Sequence, residues 1–374
     1  MKTYKIVICG GHLSPALAII ERLKRRKKYQ LFYIGRKHSL EGDKSLSLEY
    51  QVINKLDVPF YPLVCGRLQR SFTIYTIPSL LKFPLSLLQS LIFLLNIKPK
   101  VVISFGGYVS LPVCLVAYFL RIPIIIHEQT NTLGLTNRIV AQLAKVICLS
   151  WKDTKNVPKG KVLVLTGNPI RQSLFQFKEN NLTNFGDRHL PLLYVTGGSL
   201  GSESINKLIG NTLSYLAKHF RIIHQCGSAF DKKDLLDLLK QKNSLPVDLQ
   251  KNYTVLEKID PDMVGSIYQK AQLIVSRSGA NTVSEIAAVG VPTIFIPLPW
   301  AAYGEQERNA LMLKKAGIAE VLMQNQLTSE IFINMIHKMM KNLSLYQRNA
   351  QKIKELMPSN SAAAIIRLIE PYLQ

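Results

Sequence analysis

The chain has 374 residues, 47% of them hydrophobic and 19% charged, with 47 Lys and Arg against 24 Asp and Glu for a formal net charge of +23. That length exceeds a single ordinary core and that composition excludes a disordered or collagenous chain, so two globular domains of about 150–200 residues each are expected. The positive surplus points to an anionic partner, nucleic acid or an acidic membrane surface, while the five scattered cysteines (Cys9, Cys65, Cys114, Cys148, Cys226) have no C-x-x-C spacing and read as small buried hydrophobes of a reducing compartment.

The N-terminus opens on a strand pattern over residues 4–9 and lacks a small-residue cleavage site, so no signal peptide is expected. Further strand patterns fall at 30–34, 101–104, 122–126, 145–149 and 161–165, then at 192–196, 221–225, 253–256, 273–276 and 293–297. Amphipathic helical windows separate them, and continuous apolar strands alternating with helices predict α/β architecture with doubly wound parallel sheets. The greasiest stretch, residues 77–96, is interrupted by Pro78, Lys82 and Pro84, which disfavours a spanning helix. It reads as a buried core helix or as an interfacial patch flanked by Arg67, Arg70, Lys98 and Lys100. Between 168 and 191 the pattern lapses into polar sequence before a fresh strand and glycine turn. The expected division is therefore a domain of residues 1–167 and another of residues 168–356.

Four glycine turns follow strands: CGGHLSP (9–15), SFGGYVSLP (104–112), TGGSLGS (196–202) and SRSGANTVSE (276–285). In doubly wound sheets such turns lie at the carboxyl ends of strands, where helix N-termini attract anions. A dinucleotide fingerprint is excluded because the third glycine is missing and the second strand ends in IGRK without an acid; no turn carries the G-K-[ST] of a P-loop. A helix beginning near Ala280 can aim its first N–H groups at a diphosphate, with hydroxyls from Thr282 and Ser284, and Glu285 can bridge the two hydroxyls of a ribose. The alternative is a plain cap at Ser278 with Glu285 solvated. TGGSLGS, with Ser199 and Gly201, is a second anion cradle or merely a tight turn. His12 is either a structural ring or an imidazole placed to take a proton near neutral pH. The seven histidines form no H-x-x-x-H pair, and in Asp260-Pro261-Asp262 the second aspartate reads as a helix cap rather than half of a cation site, so a metal-independent diphosphate site is expected.

Taken together and in order, GGHLSPALAI, GGYVSLP, IIHEQTNTLGLTNR, GNPIR, GGSLGSESIN, HQCG, SRSGANTVSEIAAVGVPTIFIPLP and QERNA resemble the MurG family of glycosyltransferases, over nearly the whole chain. The resemblance implies the GT-B fold, two Rossmann-like domains facing across a cleft, with a C-terminal helix at about 357–374 returning to the first. It implies inverting transfer of N-acetylglucosamine from UDP-GlcNAc to the 4-hydroxyl of the muramyl residue of lipid I, for peptidoglycan synthesis. His12 matches the general base, with Glu128 a weaker alternative. Gly10, Gly11, Gly106, Gly107 and Tyr108 match the loops that take the acceptor diphosphate, joined by Gln129 and by Thr130 or Asn131. Arg171 and Ser199 match donor contacts, Ile259 lies by the uracil, and Gln306 and Asn309 lie near the sugar. Ala280, Asn281, Thr282, Val283, Ser284 and Glu285 match the diphosphate and ribose helix.

No cofactor and no metal are implied. The implied partners are lipid I, an anionic membrane surface on the cytoplasmic face, and wall-synthesis proteins, with no nucleic acid. Two departures stand out: the first loop is shorter by two residues than the family's GGTGGHxxP, and HEQTNT stands where HEQN is typical. The same fold also serves transferases acting on other lipids, such as diacylglycerol, and UDP-GlcNAc 2-epimerases.

Overall fold

Apolar runs that end in glycine turns become parallel strands throughout the computed structural model, which describes residues 3–38, 46–66, 76–176, 181–228, 232–301, 304–356 and 360–373. The chain divides into two compact units, Met1–Arg171 with Pro358–Gln374, and Gln172–Met357.

The first unit holds a seven-stranded sheet: β1 (Tyr4–Cys9), β2 (Tyr29–Gly35), β3 (Phe60–Pro62), β4 (Val101–Ser104), β5 (Ile124–Glu128), β6 (Val146–Leu149) and β7 (Leu163–Leu165), in the order β3-β2-β1-β4-β5-β6-β7. Every pairing is parallel, and in the centre Cys9 lies opposite Ile34 on one side and Ser104 on the other. Alternate residues of β1 feed different layers. Ile6 and Ile8 join Ala16, Ile19 and Leu23 of the helix Leu13–Lys24, while Val7 and Cys9 join Cys114 and Leu94 on the opposite face. Each fully buried aliphatic side chain contributes roughly 1.5–3 kcal/mol, so a strand apolar on both faces is held from above and below. The helix Ser361–Ile369 closes the first layer with Ile365, Ile366 and Ile369.

The second unit holds a six-stranded parallel sheet: β8 (Leu192–Thr196), β9 (Arg221–Gln225), β10 (Tyr253–Leu256), β11 (Leu273–Ser276), β12 (Thr293–Phe295) and β13 (Ala319–Val321), in the order β10-β9-β8-β11-β12-β13. Val195, Ile222 and Val275 meet Ile209 and Leu216 of the helix Glu203–His219 and Phe332 of the helix Ser329–Lys341. In both sheets the strand order reverses beside the first strand, so the turns after β1 and β4, and after β8 and β11, share strand-end positions where ligands collect in this architecture.

Two strands were not expected from sequence, β3 and β13. Each is only three residues long at a sheet edge, too short to show a period, and β3 ends in a proline that cannot donate to a ladder. The expected strand at 122–126 starts later, at Ile124, because Pro123 precedes it without an N–H. Residues 76–97 form one helix with Pro84 inside, burying Leu94 and Ile97 and exposing Leu85, Leu88, Ile92 and Leu95. Among the described residues no helix is long and apolar enough to cross a membrane. Arg67 and Arg70, expected to flank this stretch, lie outside the described residues.

Candidate active site

In the first unit, the turns after β1 and β4 interlock. Gly11 N–H donates to Gly106 O at 2.9 Å and Phe105 N–H donates to Cys9 O at 2.9 Å. Gly10 has φ +132°, and a Cβ there would stand 2.7 Å from Gly106 O; a Cβ on Gly107, at φ +79°, would stand 3.0 Å from Gly11 N. Only glycine allows two backbones to approach so closely. Of the four glycines expected to present anion-binding N–H groups, Gly10, Gly11, Gly106 and Gly107, two are corrected here: the Gly11 N–H is bonded to the facing turn, and Gly106 N–H lies 3.3 Å from Ser104 Oγ. Tyr33 Oη locks the arrangement by donating to Gly10 O at 2.9 Å, and Tyr108 packs against the core rather than standing free.

His12 sits at the N-cap of the helix Leu13–Lys24, and its side chain makes no capping bond. Burial holds its imidazole below the usual range; Glu128 pulls it up and Arg36 opposes protonation again. The neutral ring, which can accept a proton, is therefore the form at neutral pH.

Glu128 closes β5 and is fully engaged. Its Oε1 accepts from Thr130 N–H at 3.0 Å and lies 2.8 Å from Thr130 Oγ1; its Oε2 accepts from Gly134 N–H at 3.0 Å and Asn137 Nδ2 at 2.9 Å. A buried carboxylate with both oxygens occupied organises a loop and is poorly arranged to collect a proton from substrate, so the alternative of Glu128 as base is set aside. Thr130, one of the two residues expected to replace the family's asparagine, is tied to that carboxylate and so does not serve the ligand.

His127 is buried beside it, Nε2 lying 3.1 Å from both Gly167 O and Ser150 Oγ. Because Ser150 Oγ donates to Glu128 O at 2.9 Å, the proton between His127 and Gly167 must be the histidine's, which leaves Nδ1 as a bare acceptor. Burial pushes this ring down to about 4. That Nδ1 and the side-chain amide oxygens of Gln129, Asn131 and Asn137 are buried without a hydrogen-bond partner among the described residues. Four acceptors around one strand end suit a ligand rich in hydroxyl and amide N–H groups. Asn137 was not singled out from sequence, although it stands inside the GLTNR stretch quoted for the resemblance.

In the second unit, β11 runs through Arg277, Ser278 and Gly279 into the helix Ala280–Val289. Gly279 is the N-cap with no side-chain cap, and the first turn carries no acid. The first intrahelical bond runs from Val283 N–H to Gly279 O, so the N–H groups ahead of it have no acceptor within the helix. An uncapped, acid-free start is the arrangement that binds phosphate. Two expected contributors are corrected. Ser284 is buried and donates to Ala280 O at 2.8 Å, and the Val283 side chain is in the core, because residues three and four on from the buried Ala280 share its face of the helix. Thr282 and Glu285 remain on the partly exposed side.

The alternative of Ser278 as cap is also overturned: its hydroxyl donates to Gln306 O at 2.7 Å. Asn309 Nδ2 donates to Ser278 O at 3.2 Å, and Gln306 Oε1 accepts from Leu298 N–H at 3.1 Å, so these two residues hold the turn in shape. Arg277 reaches five neutral oxygens, on Ile296, Pro297, Ser202, Ser204 and Gln324, all at 2.7–3.0 Å. Burial of that guanidinium lowers it to about 10, still charged at neutral pH.

The TGGSLGS turn differs. Its helix is capped by Ser202, which accepts from Ile205 N–H, and bears Glu203 in the first turn. Gly201, φ +86°, is pressed against Cys226 O and Gly227, where no Cβ fits. The tight-turn reading holds at Gly201, and no second cradle forms at that helix start; Ser199 stands exposed ahead of it. Ile259 is buried, and Arg171 is buried with its Nε lacking a hydrogen-bond partner among the described residues. The helix Pro261–Lys270 is capped by Asp260, which accepts from Asp262 N–H at 3.0 Å, so the cap is the first aspartate and not the second.

Two strand-end sites, one with a neutral histidine near buried acceptors and one with an open helix start next to a half-buried arginine, accord with a glycosyltransferase. The chain belongs to glycosyltransferase family 28: residues 9–148 match the N-terminal domain of that family and residues 192–365 its C-terminal domain. It is 32% identical, over 100% of its length and 99% of the relative's, to the UDP-N-acetylglucosamine--N-acetylmuramyl-(pentapeptide) pyrophosphoryl-undecaprenol N-acetylglucosamine transferase of Clostridium novyi. It is also 32% identical to the enzyme of that name from Treponema denticola, over 95% of this chain and 91% of the other. Among solved structures it is similar to MurG of Acinetobacter baumannii, at TM-score 0.71 and 26% identity over 98% of this chain and 99% of that one. A UDP-GlcNAc 2-epimerase from Neisseria meningitidis shares the fold alone, at TM-score 0.67 and 14% identity, covering 98% and 99% of the two chains.

Proposed function

We propose that this chain transfers N-acetylglucosamine from UDP-GlcNAc to the 4-hydroxyl of the muramyl residue of lipid I, giving lipid II. The observation that carries this is end-to-end similarity to relatives named for that reaction, with both strand-end sites present. The donor diphosphate meets the open helix start at Ala280, with Thr282 and Ser199 nearby in the same unit, and Glu285 takes the ribose. Ile259 lines the base, and Gln306 and Asn309 serve the sugar side. Backbone N–H groups and the Arg277 charge stabilise the departing UDP, so no metal is assigned to this step; full activity in EDTA is the expected outcome.

The acceptor's other hydroxyl and amide N–H groups meet the orphan acceptors of Gln129, Asn131, Asn137 and His127, and His12 removes the 4-hydroxyl proton as that oxygen attacks the anomeric carbon. UDP leaves from the opposite face, inverting the centre. A positioned general base contributes about 10²- to 10⁴-fold.

The same reading places the enzyme at the inner face of the membrane as a peripheral protein. Leu85, Leu88, Ile92 and Leu95 form an exposed apolar stripe near exposed Lys98 and Lys100, and Phe119 is 79% exposed at the end of the helix packed alongside. The basic run near residue 26 contributes less than expected, because Arg26 and Lys28 lie 3.2 and 4.0 Å from Glu370. Co-sedimentation with acidic vesicles that weakens with salt is the expected result.

The deciding assay offers labelled UDP-GlcNAc with lipid I, with diacylglycerol, and alone. Transfer to lipid I supports the reading. Transfer only to diacylglycerol, or epimerisation without acceptor, replaces it.

A further inference from the structure

The interlocked glycine turns raise a question for that reaction: with the Gly11 and Gly106 N–H groups engaged and the first loop short by two residues, what holds the acceptor's diphosphate? We propose that Arg36 does so, its guanidinium binding the diphosphate of the lipid-linked acceptor beside His12; this rests on the transferase reading above.

Position comes first. β1 and β2 run parallel with Cys9 opposite Ile34, so two residues further on Gly11 and Arg36 leave the sheet at the same level. The charge of Arg36 is close enough to His12 to oppose its protonation. The backbone of Arg36 is fixed: its N–H donates to Glu49 Oε1 at 2.6 Å and its carbonyl accepts from Ser47 Oγ at 2.7 Å. Ser47 in turn caps the helix Leu48–Lys55.

The side chain, by contrast, is held only by a long ion pair. Arg36 Nε lies 3.9 Å from Glu49 Oε1, beyond hydrogen-bond reach, and has no hydrogen-bond partner among the described residues, while the side chain is 38% exposed. Burial of Glu49 keeps its carboxyl partly protonated near neutrality, so the nearby acid does not cancel the guanidinium. Lys37, the next residue, lies over the Tyr50 ring instead. A planar guanidinium with a free edge matches phosphate oxygens bidentately, which a lysine point charge does not. One side chain thus supplies what the bonded Gly11 and Gly106 N–H groups cannot.

The test titrates geranyl diphosphate into the full-length protein held in saturating UDP, which fills the donor site, at about 0.15 M salt. Geraniol is the neutral control, and R36Q and R36M are compared with the unaltered chain after thermal melts show which of them are folded. The expected result is a loss of about tenfold or more in diphosphate affinity in either variant, with geraniol and UDP binding unchanged. In turnover, KM for lipid I rises by a similar factor while kcat and KM for UDP-GlcNAc hold. Equal affinity of a folded variant and the unaltered chain for geranyl diphosphate overturns the proposal, as does absence of binding by the unaltered chain. Diphosphate binding that depends on Arg36 without any transfer to lipid I would instead sink the transferase reading and leave the anion site standing.

Discussion

Asn137 donates to Glu128 Oε2 at 2.9 Å, while its own carbonyl oxygen lies against the Gly106 turn without a hydrogen-bond partner among the described residues. One amide thus joins the carboxylate hub at the end of β5 to the glycine turn at the end of β4. The hub keeps the acceptors in place, and a ligand completes them.

From this comes the first prediction. Glu128→Ala strips the acceptor from Thr130, Gly134 and Asn137 together, and should cost about 3 kcal/mol or more of stability in the first unit. Urea unfolding with a probe in that unit measures it. A variant of unaltered stability whose kcat collapses would return Glu128 to the role of base.

His12→Ala should lower kcat by about 10²- to 10⁴-fold and leave UDP affinity unchanged, since the donor turn belongs to the other unit. Because burial depresses the imidazole, the base is already neutral at neutral pH. Activity should therefore rise with pH only below the ordinary imidazole range and be flat above it, and the acid limb should vanish from the residual rate of the variant. A profile that keeps that limb would assign it to another group.

Glu49 gives a prediction of opposite sign. Its carboxyl is pushed up to about 7 by burial, whereas the unfolded chain releases that proton near 4.3. Between those values the folded state holds a proton that the unfolded state has lost, so this group's contribution falls as pH rises through the window and levels off above it. Glu49→Gln keeps an acceptor for the Arg36 N–H and removes the titration. The variant should be more stable than the unaltered chain by about 1–3 kcal/mol at pH 8.5 and show no such advantage at pH 4.5. Parallel stability curves for the two proteins would contradict it.

Gly201→Ala should disable donor binding. At φ +86° a side chain is strained, and its Cβ would run into Cys226 O, so the turns after β8 and β9 must part. The expected outcome is a fall in Tm together with a loss of UDP affinity, read by calorimetry. Val247→Ala, at an 83% exposed position of the same unit, is the control. If both variants bind UDP alike, the Gly201 contact is not what shapes the site.

Much of this was legible in the sequence, and the reason is local. Residues 4–9, 101–104, 192–196, 221–225, 253–256 and 273–276 are strands with the expected bounds, because an apolar run flanked by turn residues carries its own signal. The open helix start at Ala280 follows from a glycine before a helical pattern. What could not be read is pairing between distant residues. Nothing near Gly11 announces that its N–H is bonded to Gly106, nothing near Glu128 announces that it is filled by its own loop, and IGRK looked informative only for lacking an acid. The Asp260 cap was displaced by two residues because either aspartate satisfies the pattern, and only the position of Pro261 at the first helical residue separates them.

The helix Ser361–Ile369 fills part of the first unit's core yet follows the second unit in the chain. As the chain leaves the ribosome, the face formed by Ala16, Ile20 and Leu23 waits uncovered while the entire second unit is made. That unit can fold on emergence, having all its strands in one continuous stretch. The first unit is therefore completed after the second. Until residues 361–369 arrive, it is the part that offers sticky surface to chaperones and to neighbouring chains.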